Sequence, residues 1–389
     1  MSARLTYTIG RTTAESSSSD QLKRFKPRVL ADEESKTSAI VNPAQESLVS
    51  KCMKVIILNF ERMPVEEVLS PLQMAEIACQ LQTTLSPLVG AKYVFNENYW
   101  RKCCVEKYGW HGCKLSEHGL LWKQLYFEKL LTERLEDFNI ETDNETSLYT
   151  LVQACSEYIF TVSFRQLRSH IDILDLLLML PNLTKLDLTY SVKKIGMNYD
   201  KALFGMKMRD ATALGEVFSR VNSLTTIILV GNMLDDVLLG VLMSGLMDNN
   251  TVTNLDLSHN KICNHGANLL SKCLRNNKLL TSLNVADNKI GTEGGRYFAE
   301  GLREKNSLLH LNIKLNCLSD DGCHMLLEGL LENDTLIDLD IGSNMAGTKV
   351  CLTVEFDSYM IIHLHTEQLI LFMIDWHIDS RQPRPCALL

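Results

Sequence analysis

Asparagine returns at a constant 28-residue interval through the second half of this 389-residue chain, at Asn232, Asn260, Asn288, Asn316 and Asn344. Each sits in the same apolar frame. The frame reads Leu224, Ile227, Leu229, Asn232, Leu234, then Val252, Leu255, Leu257, Asn260, Ile262, then Leu280, Leu283, Val285, Asn288, Ile290. It continues as Leu308, Leu311, Ile313, Asn316, Leu318 and ends as Leu336, Leu339, Ile341, Asn344. A fixed period of this length means that one supersecondary unit recurs. Each unit buries its apolar side against its neighbours, so the units stack.

Within one period the apolar residues ahead of the Asn belong to a short strand and its approach. The Asn stands where the chain turns away, and its amide can bond backbone groups that burial would otherwise leave unpaired. Gly266–Leu274, Gly294–Leu302 and Gly322–Leu330 read as helices behind the strands. Their leading glycines suit close packing near each helix start. The predicted fold is therefore an α/β leucine-rich-repeat solenoid of the ribonuclease-inhibitor-like type, over 181–347. A weaker unit, Leu183, Leu186, Leu188, stands further ahead of its successor than one period allows, which places an insertion at 193–209. Past Gly347 the frame fails, with Val350 where Gly is due and Ser358 where Leu is due. Residues 348–389 are expected to form an irregular tail, the mark of a truncated or alternatively spliced product.

Ahead of the array the pattern changes. Residues 1–50, with Ser16–Ser19 and the mixed charges of Asp32–Lys36, have no hydrophobic period to offset the entropy of ordering and are expected to be disordered. Residues 51–180 read as a helical domain. Leu69, Leu72, Ile77 and Leu81 recur at helical spacing, as do Leu121, Leu125, Leu130 and Leu131.

Composition narrows the function classes. A net charge of −8, with Lys23, Arg24, Lys26 and Arg28 as the tight basic cluster, argues against nucleic acid as a partner. The segment Tyr359–Ile378 is interrupted by His363, His365, Glu367, Gln368 and Asp375, so no transmembrane segment is expected. Met1–Gly10 lacks the apolar run of a signal peptide. The twelve cysteines, Cys79, Cys155 and Cys273 among them, are therefore expected to be reduced and mostly buried in an intracellular protein.

No phosphate loop, His-Glu-x-x-His pair or Gly-x-Ser-x-Gly elbow is present, so no enzyme activity and no cofactor are expected. Cys103, Cys104, His111, Cys113 and His118 lack the paired knuckles of a zinc site. They read as helix residues with core thiols around Trp100, Trp110 and Trp122. What remains is a surface. Strand positions that alternate with the buried leucines should line the concave face. One row is Ile228, Asp256, Asn284, Asn312 and Asp340. Its neighbour is Thr226, Asn254, Ser282, His310 and Asp338, and beside them lie Val230, Ser258, Ala286, Lys314 and Gly342. This small, polar, mildly acidic face suits protein contact. At the chain end, Cys386-Ala387-Leu388-Leu389 has the form of a prenylation box. With Arg381 and Arg384 as the basic support, one prenyl chain at Cys386 would give a weak membrane anchor.

Three stretches carry a resemblance to one family. Gly196-Met197-Asn198-Tyr199, with Leu203-Phe204 and Arg209-Asp210, resembles the segment that opens the repeats in the dynein regulatory complex subunit 5 family. Leu311-Asn312-Ile313-Lys314-Leu315-Asn316-Cys317-Leu318 is similar to that family's repeats, as is Asn254-Leu255-Asp256-Leu257-Ser258-His259-Asn260. The resemblance implies a scaffold in the nexin–dynein regulatory complex of cilia and flagella. Its partners would be other subunits of that complex and axonemal doublet microtubules, with no active site. Two alternatives share the repeats. Tyr99-Trp100-Arg101-Lys102-Cys103 and Leu121-Trp122-Lys123-Gln124-Leu125 faintly resemble the helices of an F-box adaptor of a ubiquitin ligase. Ran-type GTPase activators share the 28-residue period.

Overall fold

Among the described residues eight strands pair in parallel, in chain order, as one sheet. The computed structural model describes residues 47–65, 69–138, 143–166, 173–191, 204–247, 249–303, 307–345 and 361–363. The chain divides into two units, Met1–Lys51 and Cys52–Leu389. Of the first, residues 47–51 are described, and they open helix α1 (Leu48–Asn59).

Six helices come first. After α1 follow α2 (Pro71–Gln80), α3 (Pro87–Tyr93), α4 (Glu97–Tyr108), α5 (Trp122–Glu136) and α6 (Glu145–Cys155). Their starts are written in the sequence. Ser70 caps α2 in a reciprocal box with Gln73, and Pro71 fills the first turn, where no amide is needed. Asn96 caps α4 and Asn144 caps α6 through their side-chain oxygens. Tyr99, Trp100, Leu125, Phe127, Leu131 and Leu135 are buried between these helices. Leu72, expected on the inner side of α2, is exposed.

The repeats then alternate: β1 (Thr161–Phe164), α7 (Ile173–Leu178), β2 (Lys185–Leu188), α8 (Met208–Arg220), β3 (Thr226–Ile228) and α9 (Asp236–Leu246). They continue as β4 (Asn254–Asp256), α10 (Asn264–Asn276), β5 (Ser282–Asn284) and α11 (Thr292–Arg303). The series ends with β6 (His310–Asn312), α12 (Ser319–Leu330), β7 (Asp338–Asp340) and β8 (Ile361–His363). Leu186, Ile227, Leu255, Leu283, Leu311 and Leu339 stand directly opposite one another in the pairing register and form one buried column. Each such side chain contributes about 1.5–3 kcal/mol by leaving water. Behind them the helices touch closely. A Cβ on Gly245 would overlap the carbonyl of Gly215, and one on Gly295 would press on the carbonyl of Gly322, so α8–α9 and α11–α12 meet backbone to backbone.

Two expected boundaries move. The sheet opens inside the segment read as helical, because β1 pairs β2 from Thr161↔Lys185 to Phe164↔Leu188. It also extends beyond residue 347, because β8 pairs β7 with Ile362 opposite Leu339. At both ends the apolar alternation survives while the repeat frame does not. Val162 stands closer to Leu186, and Ile362 closer to Leu339, than one full period would place them. The disordered tail expected over 1–50 lies outside the described residues save for 47–50, which are helical after Ser47. Residues 193–203 of the insertion lie outside them too. Where the chain is described again, Gly205 N donates to Tyr190 O (2.9 Å) and Met206 N to Asn232 O (2.8 Å), which ties the end of the insertion to the flanking repeats.

Candidate functional site

Each repeat must leave its strand, and one asparagine manages the exit. Asn288 is buried, its Nδ2 donates to the carbonyls of Leu257 (3.0 Å) and Val285 (3.0 Å), and its Oδ1 accepts from Ile262 N (3.0 Å). Asn260 makes the same bonds to Leu229, Leu257 and Leu234 N, and Asn316 to Val285, Ile313 and Ile290 N. Asn344 donates to Ile313 O and Ile341 O, and Asn232 donates to Leu188 O while accepting from Tyr190 N. The residue before each asparagine has a left-handed backbone, at Gly231, His259, Asp287, Leu315 and Ser343, with φ between 51° and 69°. That conformation turns the amide inward.

A second ladder went unread in the sequence. Asn249, Asn277 and Asn333 are buried at the helix exits. Their amides donate to Phe218 O, Asn249 O and Leu302 O, while each Oδ1 accepts two backbone N–H groups at the approach to the next strand. The signal was present, since 249, 277 and 333 fit the 28-residue frame, but Lys305 interrupts it.

The rows expected to face outward lie rung on rung. Ile228, Asp256, Asn284, Asn312 and Asp340 are adjacent across the sheet, and Thr226, Asn254, Ser282, His310 and Asp338 form the parallel row. Together they line a concavity of about 480 Å³ on the strand side. The first row also has a local duty. Asp256, Asn284, Asn312 and Asp340 each accept, through Oδ1, the backbone N–H two residues on, at 2.9–3.2 Å. One side-chain oxygen thus ends the strand, as in an Asx-turn. The other group is left for lateral bonds: Asn284 Nδ2 donates to Asp256 Oδ2 (3.0 Å), and Lys314 Nζ lies 3.5 Å from Asp340 Oδ2. In the second row His310 Nδ1 lies 3.6 Å from Asp338 Oδ2. The rows extend toward the helices through Asp187 and Ser163, which are hydrogen-bonded at 2.9 Å, and through Lys185 and Thr161.

Among the described residues no strand precedes β1, and α5 takes that role. From β2 to β7 each strand entry gives two N–H groups to one carbonyl of its predecessor, as Thr184 and Lys185 do to Phe160 O and Thr225 and Thr226 to Thr184 O. At β1 the acceptor is Glu128 Oε1, which takes Phe160 N (2.9 Å) and Thr161 N (2.8 Å). Two helical turns on, Glu136 Oε1 takes Arg165 N (3.1 Å). Glu128 is buried, and Gln124 Nε2 (2.9 Å) and His118 Nδ1 complete its shell. Nearby, Lys123 is buried with Nζ donating to Ala91 O (2.7 Å) and lying 4.0 Å from the Tyr158 ring centroid and 4.3 Å from that of Phe95. Burial pulls its ammonium down to a pKa of about 8, against the attraction of Glu97 and Glu157.

Of the thiols, Cys103, Cys104, Cys155 and Cys273 are buried, but Cys79, Cys263 and Cys317 are exposed, so burial is less general than expected. Cys79 lies on the outer side of α2 and Cys263 at the start of α10, where side chains meet water. Trp110 is also outside the core, 57% exposed. Among the described residues no three His, Cys, Asp or Glu side chains gather as a metal site, and no helix is long and apolar enough to cross a membrane. Cys386 lies outside the described residues.

The family model described as Leucine Rich repeat matches residues 276–299 and 304–327, which cover β5, β6 and most of α11 and α12. Dynein regulatory complex subunit 5 of Chlamydomonas reinhardtii is 36% identical over 186 residues, 48% of this chain and 47% of that protein. The protein of the same name from Mus musculus is 28% identical over 293 residues, 67% of this chain and 58% of its own. That from Homo sapiens is 29% identical over 268 residues, 62% and 52% respectively. The chain thus spans about half the length of the curated relatives it matches. A solved structure titled Leiomodin-1 Actin-Binding Site 2 (ABS2) aligns at 17% identity over 41% of this chain and 62% of its own, with a TM-score of 0.23, and no functional meaning attaches to so slight a likeness. With its strand–helix repeats, its asparagine ladder and these relatives, the chain is a leucine-rich-repeat protein related to dynein regulatory complex subunit 5.

Proposed function

We propose that the chain acts as a non-enzymatic scaffold subunit of the nexin–dynein regulatory complex in the axoneme of cilia and flagella. The observation that carries this reading is the agreement of three relatives of one name, from an alga and two mammals, over up to 67% of the chain. The contact surface on this reading is the strand-side concavity, with Ile228, Asp256, Asn284, Asn312 and Asp340 in one row and Asn254, Ser282, His310 and Asp338 in the other. Polar side chains on a rigid sheet give many weak, oriented bonds to another polypeptide. The partners are other subunits of the complex, and through them the doublet microtubules. Regulation of axonemal dynein would follow from holding those subunits in place.

The test is retention. A tagged copy of the full chain is expressed in ciliated cells, and axonemes are extracted with detergent and compared with the soluble fraction. Retention in the extracted axoneme is expected, and Asn254→Lys with His310→Lys, both exposed on the second row, should release the chain with little change in its melting temperature. A wholly soluble or membrane-bound chain would sink the reading.

A further inference from the structure

The helical region carries a surface that the scaffold reading does not use. Trp110 is 57% exposed, Leu120 68% and Leu121 49%, and they lie together around the start of α5. Trp110 and Trp122 meet edge to face at 6.1 Å. The guanidinium of Arg101 lies over both rings, 5.0 Å from the centroid of Trp110 and 6.0 Å from that of Trp122. An exposed tryptophan beside an arginine matches the residue types enriched in binding hot spots, and the two leucines add exposed apolar area to it.

Two further observations say what the surface lacks. Glu97 and Arg101 stand four residues apart on α4, the spacing at which a Glu–Arg pair forms on a helix. They do not pair. The Glu97 carboxylate instead accepts Trp122 N (2.5 Å) at the N-terminus of α5, where the helix dipole favours it. The neighbouring cations are engaged: Lys102 Nζ donates to Cys79 O (2.7 Å) and Lys114 pairs with Glu117 (3.0 Å). Among the described residues, Arg101 therefore has ring contacts and no carboxylate. Its planar donors remain free to take one bidentately.

The loop that presents the leucines is also strained. Gly119 and Leu120 are consecutive left-handed residues, φ 61° and 63°. Glycine tolerates this, whereas a branched side chain such as leucine costs about 1–2 kcal/mol there. Strain of this kind persists where the surroundings enforce it and clusters at functional positions. Here it holds an apolar side chain in solvent.

We propose that Arg101, Trp110, Leu120 and Leu121 form a docking surface for an acidic segment of another protein. In that segment an Asp or Glu side chain pairs with the Arg101 guanidinium, while neighbouring aliphatic or aromatic side chains cover the tryptophan and the leucines. A lipid surface would also take the indoles, but it would not call for an arginine held against two rings with the carboxylate four residues before it engaged elsewhere. The surface lies on the helices, separate from the strand-side rows.

The test uses the full chain in ciliated cells with photoreactive benzoylphenylalanine in place of Leu121, followed by irradiation and mapping of the cross-linked peptide by mass spectrometry. One protein segment with a carboxylate beside apolar residues is expected. A synthetic peptide of that mapped segment should bind purified full chain at least about tenfold more weakly after Arg101→Glu, and changing the peptide carboxylate to Arg should restore binding to that variant. Leu120→Gly should weaken the same peptide while leaving the melting temperature equal or higher, since glycine suits the left-handed position. Cross-linking to lipid, to scattered proteins or to nothing would overturn the proposal. So would unchanged peptide binding by Arg101→Glu. Axonemal retention is scored separately, so the scaffold reading and this one can fail independently.

Discussion

The two ways in which strands are supplied with hydrogen-bond acceptors divide the molecule. From β2 to β7 each strand entry leans on the strand before it, and buried asparagines close the remaining gaps with neutral amides. At β1 no earlier strand lies among the described residues, and one helix offers carboxylates instead, Glu128 at the entry and Glu136 at the exit. The neutral solution is repeated and shared among equals. The charged one is concentrated in a single buried side chain. A repeat lost from the middle leaves its neighbours able to find each other, whereas nothing else in the described chain can replace the α5 cap.

The largest effect should therefore come from Glu128. Glu128→Ala leaves Phe160 N, Thr161 N and Gln124 without their acceptor, and a loss of about 4 kcal/mol is expected. Glu128→Gln keeps an oxygen in place and should lose less than half of that. Urea melts followed by hydrogen exchange at 160–165 would check both, and equal losses for the two variants would break the contrast drawn here. Asn288→Ala comes next, at about 2–3 kcal/mol, because Ile262 N and two strand carbonyls are left buried and unpaired. Asn284→Ala, four residues earlier on the outer row, should stay within about 1 kcal/mol.

The helical region also buries a cation, Lys123, and this makes its stability depend on pH. Its ammonium has a pKa of about 8 in the folded chain against 10.5 as the ordinary value. Below 8 both states are protonated and the folded chain bears the full cost of a buried charge. Between 8 and 10.5 the unfolded chain binds more protons, so stability rises with pH across that window. A gain on the order of 1–2 kcal/mol is expected after allowance for solvent screening. Lys123→Met should remove that slope, and a variant melting profile parallel to the parent between pH 8 and 10 would assign the slope to other groups. The smallest effect belongs to the array's left-handed position. Leu315→Gly should stabilise by about 0.5–1 kcal/mol, since relief of the strained backbone exceeds the added freedom of the unfolded chain. A calorimetric melt that fell instead would show the exposed Leu315 side chain to be held by contacts.

The same division explains what the sequence made legible. The solenoid could be read from Leu224 to Asn344 because translation by one repeat forces like residues into like environments. The strand alternation then yields the outward rows directly, since their direction is set by the pleat. β1 and β8 escaped because Val162 and Ile362 occupy the strand position at spacings shorter than the repeat, with no ladder asparagine following β1 to mark it. Glu128 escaped for a deeper reason. A glutamate on an apolar helix reads as a solvated face, and its role depends on a strand edge far along the chain, at Phe160 and Thr161. Trp110 was expected inside with Trp100 and Trp122, since an aromatic in a helical stretch is usually core. Its place outside depends on the turn at Gly109, which has φ 68°.

The constant register of the sheet has a consequence for how such a chain can change length. β2 and β3 pair Lys185 with Thr226 and Leu186 with Ile227, although the insertion lies between them, and β3 and β4 pair in the same phase across a plain repeat. A gene that gains or loses one whole repeat keeps every asparagine beneath its carbonyls, so residues 261–288 could be excised and their neighbours would meet as if nothing had stood between them. A gain or loss of one codon in a strand would instead turn the buried leucines outward. Heritable variation in this protein is thus quantised: drift by single residues is confined to the links between strands, and the rest moves in whole repeats.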